Sequence, residues 1–226
     1  MLNKSYFVAG TDTGAGKTVA SLALMQAIRA AGREVYGMKP VASGCSRTAK
    51  GLISDDALLI QKYSSQPLPY SLVNPIALEQ PCAPSIAAIL EDRKIVPERI
   101  ISAYREITGR PGLLIMEGIG GWRTPVFGTI GMEGVIRHLA MPVILVVGLR
   151  LGCINHALLT LEAIYNDKIE LAGWIANHVD PDYDYVAQTM ACLKGTIERP
   201  LLGELPYMKE QDLNRAGSYL NIIPIL

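Results

Sequence analysis

Three glycines, a lysine and a threonine crowd into Gly10-Thr-Asp-Thr-Gly-Ala-Gly-Lys17-Thr18, a pattern suited to holding phosphate. Glycines let backbone N–H groups turn toward phosphate oxygens, and a following helix N-terminus adds positive potential. Lys17 supplies a point charge for β- and γ-phosphates, and the Thr18 hydroxyl can ligand Mg²⁺. The usual spacing, GxxxxGK(S/T), asks for glycine at position 11. Here Thr11 stands there and Gly10 lies one residue further back, so the loop is a variant. A plain strand-to-helix turn with a surface lysine is the alternative. The apolar run before it and the helical pattern after it favour the phosphate loop. A dinucleotide fingerprint fails on spacing, because Gly14-x-Gly16 is followed by Val19 where a third glycine belongs.

Phosphoryl chemistry also needs a carboxylate across the site for Mg²⁺. Glu117 follows the apolar run Leu113-Leu-Ile-Met116, and Gly118, Ile119, Gly120 and Gly121 come next. It is either a metal acid or an exposed acid at a strand end. Asp56, beside Asp55 in Ser54-Asp-Asp-Ala57, is either a metal acid or a stabiliser of a helix dipole. Lys39 and Ser43 lie in Gly37-Met-Lys-Pro-Val-Ala-Ser-Gly44. Lys39 either stabilises an anionic substrate or transferring phosphoryl group, or is a solvated loop residue.

These residues need a scaffold that gathers them. Short apolar runs predict strands at 5–10, 34–38, 112–116, 142–148 and 171–176, with a further one at 200–205. Ala20 through Ala31 carries helical spacing ended by Gly32. Ser54 predicts a cap for a helix to about Tyr63, and helices are expected at 97–108 and 154–164. Residues 64–84 hold five prolines and read as irregular. Continuous apolar strands alternating with helices imply an α/β fold, a mostly parallel sheet covered by helices on both faces. The whole chain, 1–226, is expected to be a single domain. In such sheets ligands bind at the carboxyl ends of the strands, which brings the phosphate loop, Lys39, Glu117, the 149–155 turn, Asn177 and Pro206 to one rim.

Lys plus Arg equals Asp plus Glu, 21 against 21, so the positive footprint of a nucleic-acid binder is not expected. Apolar runs are shorter than the ~20 residues a bilayer requires. The start of the chain does not read as a signal peptide, and the expected location is the cytoplasm. Cys45, Cys82, Cys153 and Cys192 form no CxxC pair and are read as reduced thiols.

Taken in order, these segments resemble the dethiobiotin synthetase family. The resemblance rests on the phosphate loop with its extra residue, Lys39-Pro-Val-Ala-Ser-Gly44, Ser54-Asp-Asp-Ala-Leu58, Val73-Asn-Pro75, Glu117-Gly-Ile-Gly-Gly-Trp122, Leu151-Gly-Cys-Ile-Asn-His-Ala157, Gly173-Trp-Ile-Ala-Asn177 and Leu202-Gly-Glu-Leu-Pro206. It spans nearly the whole chain and implies a P-loop NTPase-like fold. It also implies an ATP-dependent ring closure on 7,8-diaminopelargonic acid. CO₂ is taken up as a carbamate, the carbamate is phosphorylated to a mixed anhydride, and the second amine displaces phosphate. The resemblance implies that Thr13, Lys17, Lys39 and Ser43 serve the reaction, and that Thr18, Asp56 and Glu117 hold Mg²⁺. ATP would meet Gly14, Ala15, Gly16, Val19, Gly118, Ile119 and Gly120, with its base near Asn177, His178, Pro206, Tyr207 and Met208. Gly152, Cys153, Ile154 and Asn155 would bind the substrate's carboxylate tail, and a homodimer is implied. His178 stands where an Asp often follows the adenine-reading Asn, and residues 45–53, 79–95 and 180–198 diverge.

Two other classes compete. A partitioning-type ATPase would place a second lysine early in the loop, where this chain has Asp12. A non-catalytic nucleotide-binding module would not need Lys17, Lys39 and the acids together.

Overall fold

The computed structural model describes residues 4–226, the side chains at 210 and 211 excepted. Its strands are β1 (Ser5–Gly10), β2 (Val35–Met38), β3 (Val41–Ala42), β4 (Ser46–Thr48), β5 (Gly51–Ile53), β6 (Ile76–Ala77), β7 (Leu113–Gly121), β8 (Val143–Leu149), β9 (Leu171–His178) and β10 (Leu201–Leu205). Six of them form one sheet in the order β10-β9-β8-β1-β7-β2, every neighbouring pair parallel. All residues of β2 and β8 are buried, as continuous apolar runs in a doubly covered parallel sheet require. β3 pairs with β6, and β4 with β5, as separate two-stranded ribbons.

The helices are α1 (Lys17–Ala30), α2 (Asp55–Tyr63), α3 (Tyr70–Val73), α4 (Pro84–Leu90), α5 (Pro97–Thr108), α6 (Glu133–His138), α7 (Cys153–Asn166) and α8 (Val186–Thr196). α1 begins on the lysine of the phosphate loop, and Gly32 beyond its end has φ 72°. Ser54 caps α2, its Oγ accepting from Ala57 N at 3.4 Å. Pro97 opens α5 in the first turn, where its missing N–H costs nothing.

The structure corrects three expectations. Glu117 does not follow its strand: β7 runs on to Gly121, and Glu117 lies within it beside Val8 of β1. Asn177 likewise sits inside β9. A charged or amide residue ends an apolar run to the eye, but it continues a strand when its side chain finds partners. Residues 64–84 are also less irregular than their prolines suggest, since they contain α3 and β6. Helices α4, α6 and α8 were not anticipated.

The C-terminal residues fold back on the body. A 3₁₀ segment, Glu210–Tyr219, is tied to α1 by the Gln26 amide, which donates to Leu213 O at 2.6 Å and accepts from Gly217 N at 3.1 Å. Leu220 bridges antiparallel to Gly203 of β10, and Asn221 N donates to Leu202 O at 2.7 Å. Further on, Tyr6 OH donates to Ile225 O at 2.6 Å.

Candidate active site

The phosphate loop leaves β1 at Gly10 and enters α1 at Lys17. Gly14 and Gly16 have φ of 85° and 81°, backbone that L-residues rarely adopt. Asn177 Nδ2 donates to Ala15 O at 3.0 Å, so the predicted base-reading amide also fastens the loop to β9. A Cβ on Gly148 would lie 2.9 Å from Ala15 Cα. The glycine at the end of β8 therefore lets the fully buried Ala15 seat against the sheet. Lys17 Nζ donates to Gly120 O at 2.7 Å and Asp12 O at 2.9 Å. Burial first, and repulsion by Lys39 second, lower its pKa to about 8.

Facing the loop is a centre of opposed charges. Lys39 Nζ donates to Glu117 Oε1 and, at 3.2 Å, to Gly118 O, and lies 3.3 Å from Asp56 Oδ2. Thr18 Oγ1 donates to the same Glu117 Oε1 at 2.9 Å. Lys39 is 5% exposed and Glu117 1%, so neither is a solvated surface residue. Burial opposes the charge on Lys39, but Glu117 and then Asp56 outweigh it and hold the ammonium pKa above its ordinary value. Glu117 Oε2 is buried with no hydrogen-bond partner. A buried carboxylate oxygen left bare is costly, and it fits a site that takes a cation together with the Thr18 hydroxyl and Asp56.

Residues that the sequence did not single out hold this centre in shape. Asn74 Nδ2 donates to Lys39 O at 2.7 Å, and Tyr70 OH lies 3.1 Å from Asn74 Oδ1 as its donor. The same phenol oxygen accepts from Ser54 N at 2.8 Å. The chain from Tyr70 through Asn74 thus fixes the Lys39 loop against the start of α2, which carries Asp56. Their only signal in the sequence was Val73-Asn-Pro75.

The cleft between loop and charge centre has a volume of about 340 Å³, and Thr13, Gly14, Gly16, Lys17, Thr18, Lys39, Ser43, Asp56, Glu117, Ile119 and Gly120 line it. Val19 is half-buried in the first turn of α1. The remaining expected residues lie further out. Gly152, with φ 89°, precedes the first turn of α7; Cys153 is buried and Asn155 exposed. His178 Nε2 pairs with Glu204 Oε1 at 2.8 Å. Just past β10, Pro206 and Met208 are half-buried and Tyr207 is exposed.

Comparison with known proteins gives this geometry a context. Over 226 residues the chain is 42% identical to the ATP-dependent dethiobiotin synthetase BioD of Cellvibrio japonicus, covering 100% of this chain and 99% of that protein. The chain belongs to the ATP-dependent dethiobiotin synthetase family. The BioD 1 synthetase of Escherichia coli is 44% identical over 222 residues, 98% of this chain and 99% of its own length. The family model described as an AAA domain matches residues 4–215. Among solved structures, a ParA family ATPase from Chlorobium tepidum superposes with TM-score 0.54 at 15% identity, over 99% of this chain and 92% of that one. The signal recognition particle receptor FtsY of Elizabethkingia anophelis, in complex with GDP, gives 0.53 at 14% over 97% of this chain. The chain spans 64% of that receptor's length. These two likenesses establish the P-loop NTPase fold. No helix among the described residues is long and apolar enough to cross a membrane.

Proposed function

We propose that the chain closes the ureido ring of dethiobiotin from 7,8-diaminopelargonic acid, CO₂ or its bicarbonate source, and ATP, releasing ADP and phosphate in the cytoplasm. The observation that carries this reading is the pair of buried lysines, Lys17 and Lys39, that face one cleft with Thr13 and Ser43 on its wall. One substrate amine attacks CO₂ and loses a proton to give a carbamate. A carbamate oxygen attacks the γ-phosphorus and ADP leaves. The second amine attacks the carbamoyl carbon, the carbon–oxygen bond to phosphate breaks, and the ring is closed. Every species before the last carries negative charge that fixed cations and hydroxyls stabilise without reorganisation.

Lys17 is placed to follow charge from the γ-phosphate to ADP, and Lys39 to hold the carbamate with Ser43. Lys39 has three N–H donors, directed at Glu117, Gly118 and Asp56, so an anionic substrate takes the place of one of them. Thr18, Asp56 and Glu117 would hold Mg²⁺, whose contribution when bound is to neutralise charge on the β- and γ-phosphates. The exposed Leu151 (86%) and Leu159 (57%) beside and along α7 support a homodimer that covers this face.

The deciding experiment follows phosphate release from ATP with Mg²⁺ and bicarbonate, with and without the diamine, and dethiobiotin by mass spectrometry. Diamine-dependent phosphate with dethiobiotin is the expected result. Hydrolysis indifferent to the diamine would point to a switch-type ATPase instead.

Two further results are expected. Glu117→Gln should weaken Mg²⁺-ATP binding by roughly tenfold or more, the scale of losing one charge-assisted contact of about 1.5–3 kcal/mol, while binding of metal-free ATP changes little. Titration calorimetry with and without Mg²⁺ reads both, and equal affinities for the variant and the native protein would remove Glu117 as a metal acid. The second concerns protons. Lys17 has its pKa lowered to about 8, so in the free protein its charge is lost as pH rises through that value, whereas phosphate binding favours the charged form. ATP binding at pH 8–8.5 should therefore take up a fraction of a proton, and affinity should fall as pH rises further. Enthalpies measured in two buffers of different ionisation heat would show it. The same lowering makes Lys17 add stability to the free protein as pH rises from about 8 toward 10.5, because there the unfolded chain binds the extra proton.

A further inference from the structure

Asp12 has a carbonyl and a carboxylate that face different parts of the site. Its carbonyl accepts from Lys17 Nζ at 2.9 Å. Its carboxylate turns toward the end of β8 and the start of α7: Oδ1 accepts from Arg150 Nη2 at 2.7 Å, and Oδ2 lies 3.3 Å from His156 Nδ1. Arg150 and His156 flank one tight turn. Cys153 N donates to Arg150 O at 3.1 Å, and His156 N to Gly152 O at 3.2 Å. At the apex Leu151 is 86% exposed and Gly152 has φ 89°, so within one subunit the outer part of the turn has little packing. Arg150 also balances the negative charge that Asp12 would otherwise present beside a phosphate loop.

We propose that Asp12 is a positioning residue that, through Arg150 and His156, fixes the N-terminus of α7 relative to the phosphate loop. This rests on the reading of the cleft as the diamine and ATP site, with the turn at 152–155 taking the carboxylate tail. A flexible substrate that must reach two anchors at once binds less tightly when their separation is not held in advance. α7 has no acidic residue in its first turn, so its free N–H groups attract an anion without competition from their own chain. The carboxylate of Asp12 decides where those groups stand.

The test uses Asp12→Asn, which keeps the shape of the side chain and removes its charge. KM for 7,8-diaminopelargonic acid should rise about tenfold, equivalent to ~1.4 kcal/mol. KM for ATP should rise less than KM for the diamine, the signature of binding lost chiefly to one ligand. The inhibition constant of 2,3-diaminononane, the same diamine with methyl in place of the carboxylate, should be the same for variant and native protein, because it has no charged tail to place. Equal losses for both diamines, or no loss for the acid, would overturn the proposal. Arg150→Gln removes the partner instead and carries the same expectation should Asp12→Asn fold poorly. Native protein that forms no dethiobiotin at all would overturn the functional reading itself, a result obtained before any variant is made.

Discussion

Lys39→Ala is expected to bind ATP and yet form dethiobiotin roughly 10²–10³-fold more slowly, the loss seen when one preorganised donor to a developing anion is removed. Nucleotide binding should survive because Lys39 repels Lys17; without it, Lys17 keeps its proton more readily. The variant also leaves Glu117 buried without its cation, and removing one partner of a buried pair costs about 3–5 kcal/mol of stability. Kinetics must therefore be read well below the lowered melting temperature. Calorimetry for ATP and mass spectrometry for product separate the two effects. Turnover at the native rate would remove Lys39 from the mechanism.

Gly16→Ala should weaken nucleotide binding strongly by a different route. The new Cβ would lie 1.8 Å from Asn177 Nδ2, so the Asn177 amide or the loop must move. The left-handed backbone at φ 81° adds about 1–2 kcal/mol of strain for an L-residue, and losing the buried bond to Ala15 O adds about 1–3 kcal/mol. Together these come to about 2–5 kcal/mol, or roughly 30- to 4,000-fold in Kd where restoring the loop is coupled to binding. Gly32→Ala is the control. It has φ 72° and nothing within 4 Å of the added Cβ, hence the same kind of strain without the clash. Its ATP affinity should match the native value, and a Gly16→Ala variant that also matched it would show that Asn177 and the loop are not coupled.

Much of this site was legible because chemistry at a parallel sheet concentrates at strand ends. The phosphate loop, Lys39, Ser43 and Glu117 were placed on one rim by that rule, Asp56 was read only as an acid near a helix start, and all of them line one cleft. Sequence could not choose between solvated and buried for Lys39 and Glu117. Each is buried with the other as its ion-pair partner, and a pairing across 78 residues leaves no local trace. Asn74 showed only as part of Val73-Asn-Pro75 and Tyr70 not at all, since what they hold, Lys39 O and Ser54 N, lies in other segments. α6 is short and α8 lay in a stretch that diverges from the family. The boundary of β7 was misread because charge inside a strand looks like its end. Arg150 and His156 matter through Asp12, more than 130 residues away, at 138 and 144 positions.

The fold-back at the C-terminus bears on how the molecule behaves in a crowded solution. β10 is an outermost strand, and such a strand offers its free N–H and C=O groups to any other extended chain. Here Leu220 and Asn221 occupy part of that edge, and a Cβ on Gly203 would meet Tyr219 O at 2.3 Å. The closing residues thus act as a built-in guard against intermolecular strand addition. Shortening the chain before Tyr219 would turn a satisfied margin of the sheet into an adhesive one, even though no residue of the cleft had been touched.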